Sequence, residues 1–545
     1  MSNIELVKWT EVWLDRAGER AYQPAFVSAL AHEGYEIIHN TSHNSLELGK
    51  DVICRDQSGE LIAFQLKGNP SSRFTMSQWH QIYPQILQLV TAPIRGLLSG
   101  GCHHHTPVLV TNGEVEEDVQ SAISSFNADF LPHYPHSRKL EIWNRGKLVA
   151  LFAKVSRSAW PVSIQTQISV MKSAIGDGRE TISAQTLQEV SEQVFFHDSE
   201  RAPSTQKSLE RASAFATLIG VIISQHVQRG NLYEAIRAKS IGIALVAGYF
   251  DRFGFSSRRH LQLFRLMRSE IITFVESFSV SVAEKYSDRP MVNDDVTAEF
   301  AVMHPRRMLV TAILAIMLLE LRRVDRPLRP EHSKVLAAVR RDIDYPFLLG
   351  EFIVPSFLAV FWAKERTMGT MRPDIELISV LRGLVLLSRK MTLHSPYLGI
   401  EEVVPAANRE FIGELLHDID FDNRRNMSQF AFSLACMLAK RNWKQTVKNV
   451  WPELTRIAVQ ETRLQSGVEF GFSRSTAASE STSLLATPQS WDGLLRIATL
   501  ERQPSIPSLL QDDPILVLLV TLFLPFRCTT DVVLWLDRKL ASTWY

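Results

Sequence analysis

Hydrophobic and polar positions alternate with period two only in the early part of the chain; beyond about residue 160, apolar residues recur every three or four positions nearly to the end. A period of two sends side chains to opposite faces of a strand, whereas a period near 3.6 paints an apolar stripe along a helix. The chain therefore reads as an α/β segment followed by a large, mostly α-helical region. Its sharpest strand signal is Gly49-Lys50-Asp51-Val52-Ile53-Cys54-Arg55, the turn Asp56-Gln57-Ser58-Gly59-Glu60, and then Leu61-Ile62-Ala63-Phe64-Gln65-Leu66-Lys67-Gly68. That order predicts an antiparallel β-hairpin. Folding about Ser58 and Gly59 sets Asp51 opposite residues 65 to 67. Leu61, Ala63, Gln65 and Lys67 then share one face, and Ile62, Phe64 and Leu66 the other.

Around the hairpin, Leu6, Trp9, Val12 and Trp13 predict an amphipathic helix over 4–16. A second helix is expected from Pro24 to the Gly34 stop, then a strand over 35–39. A helix over 77–90 carries Pro84, which predicts a kink or a late start. Strands are expected at 107–111, ended by Asn112-Gly113, and at 140–143. The acidic run Glu114, Glu116, Glu117 and Asp118 reads as the solvated first turn of a helix, where it meets the positive end of the dipole. Cys102-His103-His104-His105 reads as a loop, because adjacent residues cannot all point at one metal ion.

In the second part, Leu261, Leu263, Phe264, Met267, Ile271 and Phe274 show the helical spacing. The expected organisation is an α/β domain over 1–157, a helical domain over 158–464, a flexible Ser/Thr-rich loop over 465–490 and a C-terminal helical piece over 491–545. Connectors are expected at 176–178, 198–206 and 287–295. No repeat of 33 to 45 residues is visible.

Composition narrows the function classes. A chain of 545 residues with 45% hydrophobic and 21% charged residues has the balance of a soluble protein of more than one domain. The formal net charge is +1, and residues 1–160 hold 14 basic and 16 acidic residues, 14 − 16 = −2. Bulk charge thus gives no nucleic-acid signal, and any phosphate contacts must come from local patches. Two such patches are Arg258 and Arg259, and Arg322, Arg323 and Arg326, which are suited to hold a phosphate backbone without reading bases. The four cysteines form no C-x-x-C pair, the start of the chain lacks the pattern of a signal peptide, and a cytoplasmic location is expected. The apolar runs Met308 to Leu319 and Ile515 to Phe526 fall short of the roughly 20 residues of a bilayer span, so they are expected to be core helices. There is no phosphate-binding G-x-x-x-x-G-K-[ST] loop, no G-x-S-x-G elbow and no H-E-x-x-H helix.

The hairpin does carry chemistry. Asp51, the Gln65 amide oxygen and the Leu66 carbonyl are hard oxygen donors that suit Mg²⁺, with Mn²⁺ an alternative. Lys67 beside them can orient a water or stabilise charge on an attacked phosphate. Asp51 followed by Gln65-x-Lys67 resembles the PD-(D/E)xK nuclease core, in the variant of Mrr-like restriction endonucleases, and the resemblance spans residues 10–155. It implies a restriction-endonuclease-like fold, with a mixed central sheet flanked by helices, and a Mg²⁺-dependent endonuclease acting on DNA in restriction or anti-phage defence. The catalytic residues would be Asp51, Gln65 and Lys67, and the metal ligands Asp51, Gln65 and Leu66. The family carries a Glu on the upstream helix where this chain has Gln23; Glu19, one turn earlier, and Glu47, just before the hairpin, are candidates to compensate. The expected partners are DNA, further copies of the chain, and a protein sensor or ATPase. Two alternatives stand beside this reading: a degenerate nuclease fold that binds nucleic acid or a partner without cutting, and a helical sensor with nuclease output.

Overall fold

The structure is a computed structural model of the chain. It describes residues 3–40, 49–70, 72–94, 104–134, 138–196, 203–285, 298–323, 329–341, 353–367, 377–378, 380–382, 429–455, 458–464, 480–486, 490–500, 504 and 506–541. Glu47, Cys102, His103, Arg326 and the expected connector at 287–295 lie outside the described residues. The chain divides into two compact units, Met1–Phe274 and Val275–Tyr545. The expected boundary at 157/158 falls inside the first of them.

The first unit is built on a mixed sheet of five strands in the order β1 (Glu36–Asn40), β2 (Val52–Arg55), β3 (Leu61–Lys67), β5 (His105–Thr111) and β7 (Glu141–Trp143). β1, β2 and β3 run antiparallel, and β5 and β7 continue parallel to β3. Two further short strands, β4 (Arg73–Phe74) and β6 (Glu114–Val115), form a separate parallel pair. The parallel connections carry helices, as such crossovers require: α3 (Met76–Thr91) links β3 to β5, and α4 (Glu117–Ser125) lies between β5 and β7.

The period of two fixes which residues each layer buries. Ile53, Leu61, Ala63 and Leu109 pack against Trp79, Ile82, Ile86 and Leu89 of α3 and against Val119 and Ile123 of α4. Phe64, on the opposite face, meets Phe26 of α2 (Glu19–His32) and Trp143 edge to face, at ring separations of 5.4 and 5.3 Å. The alternation expected for β3 is therefore the observed one.

A helix start at Pro24 and, as one of two alternatives, a late start caused by Pro84 were expected, and neither start is observed. α2 begins at Glu19, with Ala21 and Tyr22 donating to the Gly18 carbonyl, so Pro24 sits inside it. A proline in the second turn forfeits only the bond to a first-turn carbonyl, which is a small loss so near the end. α3 starts at Met76 behind a capping box made by Thr75 and Gln78, ahead of Pro84.

α1 (Asn3–Leu14) and α5 (Arg145–Arg157) accompany α2, and α6 (Ile164–Ile175), α7 (Ala184–Phe196), α8 (Thr205–Gln228) and α9 (Leu232–Phe253) pack onto them, followed by α10 from Arg258. Side chains fasten this helical layer to the α/β layer: Trp13 donates to Ser224 at 2.8 Å, and the Gly18 amide donates to Gln228 at 3.0 Å. These bonds join residues more than 200 positions apart, which no local pattern can reveal.

The second unit is mostly helical among the described residues. Most described residues of both apolar runs are buried there, Ala312 to Leu319 in the helix Ala298–Arg323 and Ile515 to Phe523 in the helix Pro514–Phe523, and no described helix is long and apolar enough to cross a membrane. One expectation is corrected. The segment 465–490 was read as a flexible loop from its Ser and Thr content, yet Glu480–Ala486 is a strand paired antiparallel with Ala458–Leu464. Its Glu-Ser-Thr-Ser-Leu-Leu-Ala contains a β-branched residue and an apolar pair; serine content alone does not exclude a ladder.

Candidate functional site

The hairpin turn sets the geometry of the site. Asp56 Oδ1 accepts from the Ser58 amide at 2.9 Å, the Ser58 hydroxyl at 2.7 Å and the Glu60 amide at 2.8 Å, while Gly59 takes the left-handed φ of 90° that a residue with a Cβ adopts only at a cost. With the turn centred at Ser58, Val52 pairs with Phe64, and the Asp51 amide donates to the Phe64 carbonyl at 2.8 Å. Asp51 therefore stands across from Gln65 at the open end of the hairpin. Opposed residues of an antiparallel pair share a face, so their side chains meet.

They meet closely. Gln65 Nε2 donates to Asp51 Oδ2 at 2.6 Å, and the Leu66 amide donates to the same oxygen at 2.6 Å. The same Nε2 lies 3.4 Å from the Leu66 carbonyl oxygen. Asp51 and Gln65 are only 8% and 4% exposed, an expensive place for a carboxylate and an amide unless their polar atoms are used. The three groups named as metal ligands are thus gathered around one point, and in this arrangement the amide NH₂ of Gln65 occupies that point. The donor set consists of hard oxygens and fits Mg²⁺ once the amide turns over to present its oxygen.

Lys67, two residues farther along β3, is at the same end of the sheet. Its ammonium pairs with Glu19 at 3.6 Å. The N-terminus of α2 overhangs the strand here: a Cβ on Gly68 would come within 2.4 Å of the Glu19 nitrogen. Of the side chains proposed as auxiliaries, Glu19 reaches Lys67. Gln23 is turned instead to Asn40, to which its Nε2 donates at 3.0 Å.

Sequence reasoning passed over several residues that build this corner. Tyr22 is fully buried and donates to the Lys67 carbonyl at 3.1 Å. Burial, with the negative charges of Glu19 and Asp51, pushes its phenol well above the usual tyrosine range, so it stays a donor. Asn112 was read only as a strand stop. Its Oδ1 accepts from the Asn69 amide and its Nδ2 donates to the carbonyls of Leu14 and Ala17, each at 2.7 Å. One amide side chain thus ties the exit of β3 to the loop before α2. Lys50, beside Asp51, is buried and donates to the Gln88 carbonyl at 3.1 Å, and burial lowers its ammonium to about 8. The carbonyl it caps belongs to the last turn of α3, so its position serves the helix terminus.

The other expectations resolve separately. His104 is exposed, whereas His105 is buried in β5 with its Nε2 2.8 Å from the Leu89 carbonyl, so the two histidines do not converge. Glu116 stands at the N-cap position of α4 without a side-chain cap bond, Glu117 and Asp118 lie in its first turn, and Glu114, expected there too, is in β6. Arg258 and Arg259 are exposed, Arg258 pairing with Glu36 at 2.9 Å; Arg322 and Arg323 are exposed in the second unit, Arg323 pairing with Glu320 at 3.0 Å. Among the described residues, no three His, Cys, Asp or Glu side chains cluster as a metal site. Compared with family models, curated proteins and solved structures, the chain finds no match.

Proposed function

We propose that the α/β part of the first unit is a Mg²⁺-dependent endonuclease that hydrolyses phosphodiester bonds of DNA, in the setting of restriction or anti-phage defence. The observation that carries this reading is the gathering of the Asp51 carboxylate, the Gln65 side chain and the Leu66 carbonyl around one buried point, with Lys67 on the same strand end. A bound divalent cation would polarise a phosphate and lower the pKa of a coordinated water. The chain's own residues would do the rest. Asp51 and the Leu66 carbonyl hold the cation, Gln65 turns its amide oxygen inward, and Lys67 orients the water or neutralises charge on the phosphate. Glu19 positions Lys67 in the resting arrangement and supplies a second carboxylate on α2 in the role that Gln23 does not fill.

A second reading, binding without cleavage, is favoured by Gln23, a neutral amide on α2 that donates to Asn40 where the resembling family carries a Glu. Incubating the full chain with plasmid DNA and Mg²⁺ or Mn²⁺ separates the two. Cleavage that disappears in both Asp51→Ala and Lys67→Ala, with circular dichroism unchanged, is the outcome expected of the nuclease. DNA retention without cleavage under either metal would overturn it in favour of the binding module.

A further inference from the structure

At the opposite end of the same hairpin lies a cavity of about 330 Å³. It opens between the turn, the strand entry after α2 and the first turns of α10 (Arg258–Lys285). Its size is at the lower end of small-molecule sites, which combine an apolar floor with a few placed polar groups. Leu209, Leu263 and Leu266 are among its apolar lining, and Tyr35 lines it too. Three arginines, Arg55, Arg258 and Arg259, line it as well, with Arg55 donating to the Gly59 carbonyl at 3.0 Å. The two acids that line it are already engaged: Glu36 accepts from Arg258 at 2.9 Å and Gln262 at 2.5 Å, and Asp56 Oδ1 takes the three turn donors described above. Arg259 makes no ion pair among the described residues and is exposed.

The mouth also meets the N-terminus of a 28-residue helix, the positive end of its dipole. That terminus is held in place. His260 is buried and bonded through both ring nitrogens, to Ser208 at 2.7 Å and Ser257 at 2.6 Å, and it stacks on Phe255. A cation cluster on a flat surface would suit a polymeric backbone. Cations at a concavity lined also by a tyrosine and leucines suit a small molecule with a planar body and a phosphate.

We infer that this cavity is a nucleotide-binding site, with the base lying against Tyr35 and the leucines and the phosphate held by Arg258, Arg259 and the first turn of α10. It shares no residue with the Asp51 site and does not depend on nuclease activity. Isothermal titration of the full chain with AMP and ATP tests it, with adenosine and inorganic tripolyphosphate as partial ligands. Saturable binding of a nucleotide, at least tenfold tighter than either partial ligand and weakened at least tenfold in Arg258→Ala/Arg259→Ala, is the expected result. The same affinity in Asp51→Ala keeps this site distinct from the catalytic proposal. Absence of binding by both nucleotides, or an equal loss in the exposed control Lys172→Ala/Arg179→Ala, would overturn the assignment.

Discussion

Two buried aspartates in this chain are used in opposite ways. Asp537, in the second unit, is fully buried and receives both guanidinium nitrogens of Arg441 at 2.7 and 2.8 Å, the Trp362 indole at 3.0 Å and the Lys440 ammonium at 3.4 Å. Burial alone would raise its carboxyl, but the Arg441 charge and hydrogen bonds outweigh it and hold the group below the usual carboxylate range. Asp51 is almost as deeply buried, yet the bonds described for it come from a backbone amide and a neutral side-chain amide, while the lysine two residues beyond Gln65 pairs with a different acid. A carboxylate clamped by a bidentate arginine is occupied by structure. At Asp51 the Gln65 amide, unlike the Leu66 backbone amide, can turn about its side-chain bonds and release its hydrogen bond to a ligand.

The largest effect that can break this contrast is on activity. Asp51→Asn keeps an oxygen for the Leu66 amide and is expected to leave the thermal midpoint within a few degrees of the parent while lowering plasmid cleavage by about 10³-fold or more. If the midpoint instead collapses and no cleavage was present to lose, Asp51 is structural after all. The converse change is Arg441→Met, which leaves the buried Asp537 with the Lys440 ammonium and the Trp362 indole but without its bidentate partner. It is expected to cost the second unit about 3–5 kcal/mol in urea titration. A cost below about 1 kcal/mol would mean that the clamp around Asp537 is not what holds that corner.

Much of the first site was legible because it depends on local order. The turn residues fix the centre of the hairpin, the centre fixes the register, and the register places Asp51 opposite Gln65. What the sequence concealed lies in packing between distant segments. The partner of Lys67 is set by the approach of α2 to Gly68, the Asn112 clip joins residues about a hundred positions apart, and Trp13 is bonded to Ser224 across the expected boundary at 157/158. None of these has a periodic signature. The cavity at the turn was likewise hidden, since it takes residues from α2, β1 and α10 together. The arginines that line it could be listed from the sequence but not given a concave shape.

Gly68→Ala sharpens the role of that packing at an intermediate scale. The added methyl meets backbone, which cannot swing aside as a side chain would. A shift of α2 away from β3 is expected to cost about 1–3 kcal/mol in urea titration. If Glu19 positions Lys67, cleavage per folded molecule should fall as well. Unchanged cleavage would remove Glu19 from the site.

The smallest expected effect concerns the α3 face of the same sheet and is read through pH. His105 is 2% exposed, and its Nε2 is the donor to the Leu89 carbonyl. Burial, reinforced by the nearby charges of Lys50 and His104 and opposed by that hydrogen bond, lowers its imidazole to about 4, whereas an unfolded histidine titrates near 6.5. Between those values the unfolded chain binds a proton that the folded chain does not, so this residue makes stability fall as the pH drops from 6.5 through 4. His105→Gln keeps an amide donor for Leu89 and removes the titration. Parent and variant should therefore diverge by about 1–2 kcal/mol in stability from urea titration between pH 7.5 and pH 5.5, with the parent losing more. Because the carboxylates and cysteines titrate alike in both proteins, only this difference reports on His105. Parallel curves would show that the sheet under α3 accommodates an imidazolium, and that burial on this face is more permissive than the Asp51 corner requires.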